Sequence, residues 1–157
     1  MTIEEREGLP EGWIETTLGD LVEPTQQRVP NEEEEFEYID IASIDRRTKK
    51  ITAPQQLIGK EAPSRARKVV HTNDVLISMT RPNLNAVAIV DSKLNNQIAS
   101  TGFDVLRSNK IEPRWLFGFL RTADFVENVS EMVRGALYPA VSSSEIRAFE
   151  IPLPPPR

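Results

Sequence analysis

The chain has 157 residues, 39% of them hydrophobic and 27% charged, with a net charge of −5 and no cysteine. That length buries a single core of ordinary domain size, and no run of about 20 apolar residues is present to span a bilayer. Without cysteine there are no disulfides, and His71 as the single histidine leaves no usual nitrogen and sulfur ligand set for zinc.

Met1 to Gly8 is polar and acidic, unlike a secretory leader, and is expected to be a disordered lead-in. Trp13 to Leu18 alternates apolar and polar residues and predicts a strand, broken by Gly19-Asp20, with Leu21-Val22 starting a helical turn. Residues 23–35 read as a loop, held irregular by Pro24 and Pro30 and by the mutual repulsion of Glu32 to Glu35. Phe36 to Ile44 predicts a strand with a buried face, followed by a basic turn or second strand over 45–50. Residues 53–68 read as one long polar connection. Strands are predicted at Val69-Val70, Val75–Met79, Ala86–Val90, Ile98 and Phe103–Leu106, with Arg81-Pro82-Asn83 a loop.

From Pro113 the period becomes helical, through Trp115, Leu116, Phe119 and Leu120, then Phe125, Val126, Val129 and Val133. A break is expected near Thr122. Trp115, Phe119 and Phe125 are expected in the core. Ser142 to Ser144 before Glu145-Ile146 predicts a capped short helix, and Phe149 to Leu153 a last strand. Many short strands with a late helical pair make the class α+β.

Signatures of chemistry are missing. The seven glycines form neither GxGxxG nor GxxxxGK; no Asn-Pro-Pro-aromatic motif of an amino-methyltransferase occurs; and Asp40 and Asp45 lack a convincing acid-x-Lys nuclease pattern. The sequence predicts no catalytic residue, no metal and no cofactor.

Charge is distributed unevenly. Residues 1–45 carry 14 acids and 2 bases, whereas residues 46–157 carry 10 acids and 17 bases. The excess is concentrated over 46–68, where Arg46, Arg47, Lys49, Lys50, Lys60, Arg65, Arg67 and Lys68 face only Glu61. Such a stretch suits phosphate contact, or it is a solvated surface. Ser64 beside Arg65 and Arg67 offers donors for base edges. The loop Thr80 to Asn85 carries Arg81, Asn83 and Asn85, stiffened by Pro82; its alternative is a plain strand connection. Arg134 to Pro139 offers Arg134 and Tyr138, with Gly135 allowing close approach; there the alternative is a helix cap with Tyr138 in the core. Asn95, Asn96, Gln97, Ser100 and Thr101 add polar groups of no assigned role.

Seven short pieces occur in order: Leu9-Pro10-Glu11-Gly12-Trp13, Leu18-Gly19-Asp20, Tyr38-Ile39-Asp40-Ile41-Ala42-Ser43, Asn73-Asp74-Val75-Leu76-Ile77-Ser78, Ser100-Thr101-Gly102-Phe103, Gly135-Ala136-Leu137-Tyr138-Pro139 and Ile151-Pro152-Leu153-Pro154-Pro155. The set resembles the target recognition domain of type I restriction–modification specificity subunits, over residues 9–155. The resemblance implies sequence-specific recognition of double-stranded DNA, one half of a bipartite site, in the cytoplasm. It implies partner adenine methyltransferase (modification) subunits and a translocase–nuclease subunit, which would carry the chemistry. Residues 156–157 would open a spacer helix that this chain does not continue, and dimerisation would need that helix. The competing expectations are a protein-interaction module docking through its acidic face and a methyltransferase-associated fragment.

Overall fold

The computed structural model describes residues 8–155. The expected lead-in, apart from Gly8, and the expected spacer start at 156–157 lie outside the described residues. The elements in order are β1 Ile14–Thr17, α1 Leu18–Leu21, β2 Glu35–Ile39, β3 Ile44–Asp45, β4 Lys50–Ile51, β5 Gln55–Ile58, β6 Ala66–Val70, β7 Val75–Ser78, β8 Val87–Ile89, β9 Gln97–Ser100, β10 Phe103–Leu106, α2 Pro113–Leu120, α3 Ala123–Met132, α4 Ser143–Arg147 and β11 Glu150–Leu153. The class is α+β, as the sequence predicts.

Three layers stack. A four-stranded sheet in the order β5-β2-β9-β6 packs on a three-stranded sheet, β10-β7-β8, whose other face carries the helices. Strand β7 is buried along its whole length because it serves both interfaces. Val75 and Ile77 face Leu116, Leu120, Phe125 and Val129, while Leu76 faces Ile39, Val70 and Ala99 across the sheets. Alternate side chains of a strand point to opposite faces, so a nearly unbroken apolar run is what a middle layer requires. Two ribbons, β1-β11 and β3-β4, close the edges. Among the described residues no helix is long and apolar enough to cross a membrane.

Local chemistry sets the helix limits. Thr122 serves two helices at once: its hydroxyl donates to the Phe119 carbonyl (2.8 Å) and accepts from the Phe125 N–H (3.3 Å). Ser142 and Glu145 form a reciprocal capping box on α4. Partly buried ion pairs tie neighbouring elements together. Arg147 on α4 holds Asp104 with two N–H groups, at 3.2 and 3.1 Å, and its Nη1 reaches the Glu23 carbonyl, which fastens the acidic front of the chain to β10. Arg107 grips Asp74 in the same two-point fashion at 2.9 and 2.8 Å.

Three expectations are corrected. The connection over 53–68 is not a loop: it contains β5, a 3-10 turn at Gly59–Glu61 and the start of β6. β5 is half-exposed and polar, and Arg67 and Lys68 interrupt the apolar pattern of β6, so neither shows a plain alternation. Gly59 fits there because a Cβ would overlap the Asn31 carbonyl, which brings the acidic 32–34 segment down onto the turn. The predicted strand Phe36 to Ile44 ends at Ile39, where Asp40 caps a 3-10 turn with its carboxylate. Trp115 is 36% exposed and outside the core; its indole N–H donates to the Pro152 carbonyl at 3.0 Å, and its ring lies 5.5 Å from that of Trp13.

Candidate nucleic-acid interface

The strand registers gather five connections at one end of the two sheets. β2 runs parallel to β9, so Asp40 and the following turn lie beside Thr101 and Gly102. β6 is antiparallel to β9, which brings Arg65 to the same end, and the Arg65 carbonyl accepts from the Thr101 N–H at 2.9 Å. β7 pairs with β10 and β8, adding the 79–86 connection. The 139–141 segment is tied on by the bridge between Thr80 and Ala140 and by the Arg81 N–H donating to the Pro139 carbonyl at 2.9 Å. At the opposite end lie Glu32 to Glu35, before β2, and the Asp74–Arg107 pair.

Arginines occupy this loop end. Arg46 and Arg81 line a groove of about 400 Å³ floored by Ile41, Ala42, Ile44, Leu84 and Ala86. Arg65 lies across the β9–β10 turn: a methyl on Gly102 would come within 2.8 Å of both Arg65 Nη2 and Ile41 Cδ1, so the bare glycine leaves the guanidinium its place. Beneath it, burial pushes the Tyr38 phenol above its ordinary value, against a smaller opposing pull from Ser100 and Arg65. Among the described residues none of Arg46, Arg65 and Arg81 has a carboxylate partner within ion-pair distance.

Two elements hold these side chains out. Asp45 accepts from the Arg47 and Thr48 N–H groups at 2.9 and 3.2 Å, and these bonds, Thr48 first, hold its carboxyl below the usual range. The turn thereby projects Arg46 and Arg47 into solvent. Arg81 and Asn85 both adopt left-handed backbone, at φ 46° and 55°, around the 3-10 turn Pro82–Leu84, leaving Asn83 exposed between them.

Other predicted residues have different places. Lys50 and Ser64 are exposed. Lys49 is tethered, its Nζ donating to the Asn85 carbonyl at 2.7 Å. Arg67 is half-buried and donates to the Ala66 carbonyl at 2.8 Å. Arg134 is exposed beside Glu131, with which it pairs at 2.6 Å. Tyr138 is 87% exposed beside Leu137 at 84%, so the core alternative for Tyr138 is rejected; open space surrounds Gly135, which turns the chain at φ 78° without a close approach.

Lys68 and Asn85 are corrected. A bulge between Ala66 and Lys68 rotates Lys68 onto the inner face of the sheet, where it is 6% exposed and donates to the Phe103 carbonyl. Asn85 is 7% exposed, and its amide satisfies the Leu120 carbonyl at the end of α2 at 2.9 Å. Neither side chain is free to touch DNA. Sequence reasoning missed Arg114 on α2 and Arg121, which caps its end. The spacing of those two arginines, seven residues apart on a predicted helix, was the available signal.

The loop end thus carries arginines without ion pairs among the described residues, on connections pinned to a two-sheet body. The family of this module follows from comparison: residues 10–157 match the Type I restriction modification DNA specificity domain, and the chain belongs to that family. It is 27% identical over 100 residues to the type I restriction enzyme HindI specificity subunit of Haemophilus influenzae, across 60% of this chain and 22% of that protein. The HsdS subunit from Thermoanaerobacter tengcongensis is 43% identical with a TM-score of 0.86, over 94% of this chain and 39% of the other. A chain in a solved type I R-M system complex is equally identical, with a TM-score of 0.88 and the same shares. The S subunit of a type I system from M. genitalium, 12% identical at a TM-score of 0.51, shares the fold alone. The chain thus spans well under half the length of these relatives.

Proposed function

We propose that this chain reads one half of a bipartite sequence in double-stranded DNA, through the loop end of its two sheets, as the recognition part of a type I restriction–modification specificity subunit. The observation that carries the reading is the meeting of Arg46, Arg65 and Arg81, with Asn83 and Tyr138 on neighbouring connections, on one end without acidic partners. Guanidinium forks match guanine edges and phosphates, and the Asn83 amide matches adenine. Loops pinned by backbone hydrogen bonds present these groups at a low cost in ordering. In this reading the chain works in the cytoplasm, and adenine methylation and cleavage belong to partner modification and translocase–nuclease subunits.

The test is selection from a pool of randomised duplexes, followed by competition between the selected duplex and random duplex. The chain should enrich a short contiguous sequence. Replacing Arg46, Arg65 and Arg81 by Gln should reduce the preference for that sequence by roughly tenfold or more, since each good two-point base contact is worth about 1–3 kcal/mol. A pool that stays random after repeated selection overturns the reading.

A further inference from the structure

Edge strand β8 is flanked by the β3–β4 hairpin on one side and by α2 on the other, and the space between them is a cleft of about 830 Å³. Four cations line it: Lys49 and Lys50 from the hairpin, Arg114 from α2 and Arg121 from the helical residue that caps its end. Two helical turns separate the arginines, so they share a face roughly 10 Å apart along the axis. The Arg121 guanidinium is set over the Phe117 ring, 4.8 Å from its centroid, which orients its fork. Arg114 occupies the first turn of α2, where the helix dipole favours an acid, and so breaks a local rule that a ligand would repay.

Cations outnumber carboxylates in the lining by four to two. None of the four cations forms an ion pair among the described residues. Of the two carboxylates in the lining, Asp91 already accepts the Lys93 N–H at 2.9 Å, and Glu112 stands at the helix start. Burial, and then the charges of Arg121 and Arg46, hold the Lys49 ammonium below the ordinary lysine range. Arg46 in turn lines the loop-end groove. Arg46 and Lys49, on one hairpin, thus link the loop-end groove to the cleft.

We infer that this cleft holds the sugar–phosphate backbone of the duplex adjoining the segment that the loops read, a sequence-independent track along the side of the domain. The inference rests on the DNA-reading proposal and adds a site to it. Planar guanidinium forks suit phosphate oxygens, and a backbone track needs no base-edge donors.

The test compares the full chain with Arg114→Gln, Arg121→Gln and the double variant, with Lys60→Gln as a control that removes the same charge at the far end. Affinities for the selected duplex and for random duplex are measured across a salt series, with thermal melting to confirm folding. Both affinities should fall by the same factor, leaving their ratio unchanged. The slope of log K against log salt should become shallower by about 0.9 for each phosphate that is no longer neutralised, about 1.8 for the double variant. Lys60→Gln should leave the slope in place, and Arg121→Lys should restore most of it. An unchanged slope in a folded double variant whose parent binds the selected duplex overturns this inference alone, and would turn the cleft over to an acidic segment of a partner protein. A falling ratio overturns it too, by making the cleft a base reader. A parent chain that retains no duplex overturns the DNA reading, and this inference with it.

Discussion

Lys68 and Arg65 stand three residues apart in one basic stretch and have opposite fates. Arg65 is exposed across the β9–β10 turn, while Lys68 is buried under the Phe103 carbonyl. Residue type does not distinguish them; a single bulge does, and its partner strand lies some 30 positions further along the chain. The same holds for Asn85, whose partner is the far end of a helix. Lys68→Met is expected to leave affinity for the selected duplex within about twofold, measured by titration. It also carries a pH signature. Burial holds the Lys68 ammonium below the ordinary lysine value, with Asp104 pulling the other way. Between its folded value and the ordinary one the unfolded chain binds more protons, so stability rises with pH through that window. Denaturant unfolding from neutral to alkaline pH should show the rise in the parent and a flatter curve in the variant.

Asp104 gives the complementary case. It is fully buried, and Arg147 supplies two N–H bonds to its carboxylate beside the Ser143 hydroxyl at 2.9 Å. Removing one partner of such a pair strands the other charge. Arg147→Ala should cost about 3 kcal/mol and lower the melting temperature by roughly 10 °C in a chain of this size. Because Arg147 also holds the Glu23 carbonyl, hydrogen exchange should rise first around residue 23. A melting temperature within about 2 °C of the parent would show that the pair is dispensable.

At the scale of elements, legibility followed periodicity. The helical stripe from Leu116 to Val133 faces one continuous core, so its spacing predicted α2 and α3 and the break between them. Short apolar strands of the middle layer, β7, β8 and β10, were equally plain. β5 and β6 were not, because Gln55, Gln56, Arg67 and Lys68 give an edge or bulged strand no alternation to detect. The Asp40 turn was hidden for a related reason: Ile41 and Ile44 extend the apolar run of β2 although the backbone has left the sheet. Of the candidate site, the basic stretch and the Arg81 and Tyr138 loops were visible in the sequence. Their meeting depends on strand order, which a single sequence does not contain. Thr122 is the sharpest element-level test, since one hydroxyl ends α2 and starts α3. Thr122→Ala should cost about 1 kcal/mol in denaturant unfolding, whereas Thr122→Ser, which keeps the hydroxyl, should cost less than half as much. Equal losses would assign the effect to the methyl group.

Taken as a whole, the molecule is divided from end to end. The Asp74–Arg107 pair and the acidic 32–35 segment occupy one end of the sheets, and Arg46, Arg65 and Arg81, without ion pairs among the described residues, occupy the other. The net charge of −5 conceals this division, which acts over distances comparable with the screening length of about 8–10 Å. A duplex approaching from the loop end meets the exposed arginines, while the acidic 32–35 segment lies a strand length away. The division reconciles the proposed DNA-reading surface with a net negative charge.

Hydrogen exchange of the chain with and without its selected duplex tests the division most directly. The account predicts slowed exchange over 40–46, 63–65, 80–84 and 137–140, with a weaker effect at 114–121 and none at 31–35 or 59–61. Protection centred on 31–35, or spread evenly over both ends, would contradict it.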